Sequence, residues 1–187
     1  MNDEARQGSL IELTGRSTTT FLPGCGGCVP TPRHRAQIQT YVDSLTFKEG
    51  AWYRPIHNLI VPLAMLRICE TESAPRDLIV AAMLHDIGYS RVDLTCPLEK
   101  ARQQLKDARA THMELGAHMA EEFLLKLSHE GRLTISSQRI QQIKDIIATH
   151  DNPYLGKPLL DREQLLHRDA DRCFVLSCAS FWKDYLA

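Results

Sequence analysis

The sequence predicts an all-α protein, and three observations lead there. Apolar residues recur at three- and four-residue spacing in block after block, the period of one helix face. Proline, glycine and short polar clusters separate those blocks. No segment alternates polar and apolar residues as a half-buried strand would. The blocks number six or seven, which gives a helical bundle over residues 32–187 behind an irregular N-terminal arm of residues 1–31.

The arm holds RSTTT and the turn-rich FLPGCGGCVP, with no sustained period. From Pro32, PRHRAQIQTYVDSLTF carries a first helix toward Gly50. A second follows Pro55 through IHNLIVPLAMLRICE, and Pro62 is expected to kink or divide it. Ser73-Ala74-Pro75 opens a third, because proline suits a first helical turn; DLIVAAMLHD runs it to a stop at Gly88. Residues 89–97 read as a loop closed by Pro97, LEKARQQLKDA as a short polar helix, and ARATHMELGAHMAEEFLLKL as a separate long amphipathic one ending before Gly131. Ser136 or Ser137 caps QRIQQIKDIIATH, which stops at Asp151-Asn152-Pro153. Beyond a loop with Gly156 and Pro158, DREQLLHRDADRCFVLSCASFWKDYL forms the last helix.

A chain of 187 residues suits one domain with a real core. Its net charge of −1 offers no broad pull toward a nucleic-acid polymer or an anionic membrane. The start, MNDEARQGSL, has neither the basic residues nor the apolar run of a secretion leader. No stretch approaches the ~20 apolar residues that span a bilayer. Six cysteines at this length do not make a disulfide scaffold. The expectation is a soluble, cytoplasmic protein with reduced thiols.

Chemistry concentrates in the histidines. His85 and Asp86 stand side by side at the end of LIVAAML. On an intact helix adjacent side chains point about 100° apart, but at a helix end that restriction lapses. His150 closes the stripe Ile140, Ile143, Ile147, and His57 opens an otherwise apolar helix. His112 shares a face with Leu115, Met119 and Phe123, and Asp171 with Phe174, Val175 and Cys178. A bare carboxylate among apolar groups loses several kcal/mol of solvation unless something compensates. A cation would do so, so His85 and Asp86 read as neighbouring ligands.

The ordered set His57, His85-Asp86, His112, His150 and Asp171, spread over residues 35–180, resembles the HD-domain metal-dependent phosphohydrolase superfamily. His57 in HNLIVPLAML, the doublet in AAMLHDIGY and Asp171 in RDADR match its basic signature. His112 in THMELGAHMAEEFL and His150 in IKDIIATHD match the subset that holds two metal ions. The resemblance implies an HD-domain helical bundle in which His57, His85, Asp86 and Asp171 hold one divalent ion, His112 and His150 hold another, and Asp86 bridges. Four neutral imidazoles and two carboxylates, about −2, against about +4 leave a site near +2, which suits a phosphate dianion. An acidified water bridging the ions would attack phosphorus in line, with Asp86 at the reacting centre. Nitrogen and oxygen ligands without sulfur favour iron, manganese, cobalt, nickel or zinc. The implied substrate is a small phosphate mono- or diester, nucleotides among them.

The sequence departs from the family pattern in one informative place. Relatives that cut cyclic dinucleotides read HDIGK and carry a separate GYP motif; here Tyr89 stands at the lysine and GYP is missing. HDIGY is closer to small stand-alone hydrolases. A few relatives use a mixed-valence di-iron centre with the same ligand types to oxidise carbon with oxygen, and the ligand set is compatible with that alternative. A non-catalytic helical binding module is the third reading.

The remaining candidates are minor. Arg54 is named for phosphate binding and Asp93 for proton transfer, while Arg91 and Arg109 read as solvated charges. Asp151 reads as a turn residue before Asn152-Pro153. Asp171 is preferred to Asp169 for its buried stripe, His167 reads as either a support to the ligands or a surface residue, and His118 and His129 as structural or solvent-facing. Cys25-Gly-Gly-Cys28 has only His34 near enough to serve as a third zinc ligand and lacks a βαβ redox setting, so it reads as a glycine turn. Cys69, Cys96, Cys173 and Cys178 read as small apolar fillers. There is no GxSxG, and Gly156-Lys157 lacks the rest of a phosphate loop.

Overall fold

The seven residues LIVAAML, Leu78–Leu84, are all buried and form the axis against which four of the other helices pack. A helix apolar all round has no solvent face to offer and must be surrounded. The computed structural model describes residues 30–47, 55–92 and 101–176. In order these form α1 (Pro32–Asp43), α2 (Pro55–Thr71), α3 (Leu78–Leu84), α4 (Ala101–His129), α5 (Ser137–Thr149) and α6 (Arg162–Leu176). Two 3-10 helices, Ile87–Arg91 and Asn152–Leu155, follow α3 and α5. No strand occurs among the described residues, and no helix there is long and apolar enough to cross a membrane. The bundle is all-α, as the sequence predicts.

α1 starts at the expected proline. Thr31 Oγ1 accepts from the His34 backbone N–H, and His34 Nδ1 accepts from the Thr31 N–H, a reciprocal cap that satisfies two donors. His34 is therefore engaged in capping. α2 runs unbroken through Pro62, against the expected division. The lost hydrogen bond is offset by the buried stripe Val61, Met65 and Cys69, which holds the helix on both sides of the proline. α3 begins at Leu78, three residues later than Pro75 suggests, because residues 75–77 form a turn whose carbonyls accept from Leu78, Ile79 and Val80.

α4 is one helix of 29 residues where two were expected. DARATHM holds no glycine or proline that could break it, and its alanines favour continuation. It ends at Gly131, which takes the left-handed φ of 65° that ends many helices. Ser136, rather than Ser137, caps α5, with its Oγ accepting from the Arg139 N–H at 3.1 Å. α2 packs on α3 and α6, α4 lies along α5, and the first 3-10 helix rests on α4.

One buried ion cluster joins three of these helices. Arg139 of α5 reaches Asp77, at the start of α3, with Nε–Oδ2 2.7 Å and Nη2–Oδ1 2.6 Å. Its Nη1 meets Glu163 of α6 at 2.5 Å. Asp77 is only 1% exposed, so its charge depends on this fork. Removing the guanidinium strands a buried carboxylate. Arg139→Ala should cost about 3–5 kcal/mol, read as a drop of about 10 °C in melting temperature. Arg139→Lys should recover only part of it, since an ammonium cannot match the two-pronged geometry. An unchanged melting curve for Arg139→Ala would remove this cluster from the account of the fold.

Candidate metal centre

The centre begins where α3 stops. His85 keeps helical dihedrals (φ −58°, ψ −37°), while Asp86 swings to φ −99°, ψ 2° and opens the 3-10 helix Ile87–Arg91. That single change turns the two side chains together, leaving His85 Nε2 and Asp86 Oδ2 3.3 Å apart. The turn must pass hard against α4. A Cβ on Gly88 would lie inside the contact shell of the His112 carbonyl oxygen and 2.7 Å from the Gly116 nitrogen. Gly88 is therefore not the helix stop that the sequence suggests; it permits a backbone-to-backbone approach that brings the doublet beside His112.

Four further helices supply the rest: His57 from α2, His112 from α4, His150 at the end of α5 and Asp171 from α6. They meet around the Asp86 carboxylate, whose two oxygens face different histidine pairs. Oδ2 lies 3.3 Å from both His57 Nε2 and His85 Nε2. Oδ1 lies 3.6 Å from both His112 Nε2 and His150 Nε2. Asp171 Oδ1 stands on the first side, 3.1 Å from His57 Nε2 and 3.7 Å from His85 Nε2.

The tautomers follow from hydrogen bonding. His85, His112 and His150 direct Nδ1 at the carbonyls of Ala82, Ala108 and Ile147, at 2.9, 3.1 and 2.8 Å. A carbonyl only accepts, so each Nδ1 donates, and in the neutral ring Nε2 carries a bare lone pair. Yet His112 Nε2 and His150 Nε2 are 3.2 Å apart. Two lone pairs repel at that distance unless a proton or a metal ion lies between them.

Charge in the metal-free cluster is settled by the carboxylates. Burial works against a charge on His57, but hydrogen bonds with Asp171 and Asp86 outweigh it and raise its pKa to about 10. Burial is likewise outweighed at His150, where Asp86 lifts the pKa to about 9. His112 goes the other way: burial and the neighbouring His150 lower it to about 3. Burial alone would raise Asp86 and Asp171, but neighbouring His85 and hydrogen bonds with His150 and His57 hold Asp86 well below the usual carboxylate range, while the His57 hydrogen bond and His85 bring Asp171 to about 2. An ionised carboxylate core faced by imidazole lone pairs fits divalent transition ions, and His57, His85 and Asp171, His85, Asp86 and His150, and His112, His150 and Asp151 are each close enough to share one.

Some candidates stand elsewhere than the sequence suggests. Asp151 lies in the turn the sequence suggests, but its side chain is buried at 8% exposure, with Oδ2 4.0 Å from His112 Nε2 and 3.6 Å from Arg109 Nε. Arg109 is likewise not simply solvated; it stacks over the Tyr154 ring at 4.4 Å and lines the cleft above the cluster. His167 is fully buried, its ring centroid 5.4 Å from His85 and 5.8 Å from His150, and neither nitrogen has a hydrogen-bond partner. Burial first, then the neighbouring His85 and His150, keep it neutral. Asp169, His118 and His129 are exposed. Cys69 is a buried filler and Cys173 half-buried. Arg54, Asp93, Cys25, Cys28, Cys96 and Cys178 lie outside the described residues.

Tyr89, the residue at the lysine position, stacks on His112 with ring centroids 3.9 Å apart and planes at 9°. It locks that imidazole between an aromatic face and the Ala108 carbonyl. His57 meets the Phe174 ring edge-on at 4.8 Å. The cleft over the cluster encloses about 130 Å³, between Tyr89, Arg109, Asp151, Tyr154, Arg172 and Phe174.

The family model described as HD domain matches residues 56–175 of the chain. No curated protein and no solved structure matches it significantly.

The close approach at Gly88 has a measurable consequence. Gly88→Ala should destabilise the protein by at least about 3 kcal/mol in denaturant titrations, because the new methyl meets backbone and not a side chain that can move. Gly116→Ala should cost clearly less, since its Cβ would lie 3.2 Å from the nearest atom, Gly88 N. Equal midpoints for Gly88→Ala and wild type would contradict the packing described.

Proposed function

The chain belongs to the HD-domain family of metal-dependent hydrolases, and from that premise we propose that it is a phosphohydrolase acting on a small phosphate ester. The observation that carries this reading is the divided carboxylate of Asp86, one oxygen toward His57 and His85 and the other toward His112 and His150. On this reading His57, His85, Asp86 and Asp171 hold one divalent ion, and His112, His150 and Asp86 hold a second. Bound there, the ions supply Lewis acidity toward phosphoryl oxygens and lower the pKa of water.

The chain's own groups provide the rest. Arg109 and Arg172 stand on the cleft wall, where they would bind phosphoryl oxygens with charged hydrogen bonds. The Tyr154 ring holds the Arg109 guanidinium flat, so less freedom is lost when an anion binds. Tyr89 and Phe174 narrow the floor and keep bulk water from the imidazoles. A cleft of about 130 Å³ takes a phosphoryl group with a few attached atoms, well below the roughly 300 Å³ at which whole-ligand pockets begin. The rest of the substrate lies beyond the Tyr154 rim.

Elemental analysis of protein grown without added metal should find about two transition-metal ions per chain, and a phosphate-release screen should find turnover with one or more of Mn, Fe, Co, Ni or Zn. His85→Ala with Asp86→Ala should lose both metal and turnover, at least about 10³-fold in kcat. Full turnover in that double variant would end the proposal. A silent phosphate screen with oxygen uptake by the iron-loaded protein would move the assignment to a di-iron oxygenase. A metal-free, correctly folded protein would leave a helical binding module.

A further inference from the structure

The chain contains a second histidine-aspartate doublet, His150-Asp151, and its backbone repeats the first. His150 stands at φ −58°, ψ −34°, against −58° and −37° for His85. Asp151 stands at φ −94°, ψ 6°, against −99° and 2° for Asp86. Both histidines stand at the C-cap of a helix, α3 or α5, and donate Nδ1–H to a carbonyl three residues earlier. Both aspartates open a 3-10 helix. The same local turn, built twice, delivers the same pair of side chains to the same centre from opposite sides. The Asp151 N–H points at Met113 Sδ, 3.2 Å away, which seats this turn under α4.

We propose that Asp151 is a metal ligand, binding through Oδ2 the ion that His112 and His150 hold. The inference rests on the two-ion reading above. Two ligands of one ion, each about 2.1 Å from it, lie about 3.0 Å apart at a right angle and about 4.2 Å apart across the ion. In the second group His112 to His150 is 3.2 Å, Asp86 Oδ1 to each of them 3.6 Å and Asp151 Oδ2 to His112 4.0 Å, and the ligand atoms of His112, His150 and Asp151 all lie within 4.8 Å of one another. The first group gives 2.9 Å for His57 to His85, and 3.1 to 3.7 Å for its carboxylate contacts.

The two halves then match: each has two imidazoles, one oxygen of Asp86 and a carboxylate of its own, Asp171 on one side and Asp151 on the other. Without Asp151 the second ion has one carboxylate oxygen fewer than the first and should bind more weakly. With it, the ions are held by equal donor sets. The third carboxylate also changes the charge at the reacting centre from about +2 to about +1 before substrate binds. Arg109, 3.6 Å from the same Oδ2, steadies that carboxylate from its outer side.

The rival role for Asp151 is to be no more than the ion-pair partner of Arg109, and two variants separate the roles. Asp151→Asn keeps the volume and still accepts from Arg109 but is a poor ligand; Arg109→Ala removes the ion pair and keeps the carboxylate. Each protein, stripped and titrated with cobalt(II), is followed by calorimetry and by elemental analysis after desalting. Wild type should take about two ions of similar affinity, Arg109→Ala about two, and Asp151→Asn about one, with the second weakened at least about 10-fold. If Asp151→Asn does not fold, Asp151→Glu and Asp151→Gln are compared, and only the acid should retain the second ion. Two ions bound unchanged by Asp151→Asn, or by Asp151→Gln as well as by Asp151→Glu, overturn the inference and leave the two-ion reading standing. A wild type that takes a single ion overturns both.

Discussion

A carboxylate surrounded by imidazoles in the middle of an apolar bundle is the constraint on which the structure turns. Asp86 is 7% exposed, and no arginine or lysine supplies its counter-charge among the described contacts. An ionised group so placed costs several kcal/mol unless cations face it. In the protein without metal those cations are protons on His57 and His150. Divalent ions would fit the same cluster, because His85, His112 and His150 direct Nε2 inward while their Nδ1 protons are engaged by carbonyls.

The bundle is arranged to keep those ligands in register. α3 carries the first doublet and is buried throughout, so it cannot shift without disturbing every neighbour. The Arg139 fork ties its start to α5 and α6, which carry His150 and Asp171. At the other end of α3, contact between Gly88 and Gly116 sets the spacing to α4 and His112. One polar clamp and one backbone contact thus fix the two ends of the central helix, and His85 and Asp86 lie between the clamp and the contact. The buried, unpaired His167 behind them belongs to the same arrangement. It packs beside the His85 and His150 rings and stays neutral.

Much of this was legible in the residues, and the misses share one cause. Helical spacing around Ile140, Ile143 and Ile147 places His150 inside without any structure, and the helix-end position of His85-Asp86 implies that both side chains can meet. Asp151 looked like turn chemistry because its neighbours, Asn152 and Pro153, are turn residues; they do form a 3-10 helix, but the aspartate at its start is directed inward. The signal was present, since Asp151 repeats the doublet at a second helix end, yet only the dihedrals show that the repetition is structural. Arg109 was unreadable for a different reason. A half-buried arginine on a long helix looks like any solvated charge until Tyr154, 45 residues later by sequence number, is found against it.

Most of the helices, their apolar faces and the central doublet were legible in the sequence alone, because they depend on local period and capping, while the grouping of the histidines into pairs was implied by the family resemblance. The tertiary structure decided which oxygen of Asp86 faces which imidazole, that Gly88 serves a close approach and not a helix stop, and that Asp151 and Arg109 face the same cleft. Those relations join residues tens of positions apart. They depend on how far one helix backbone can approach another, a distance that no local pattern encodes.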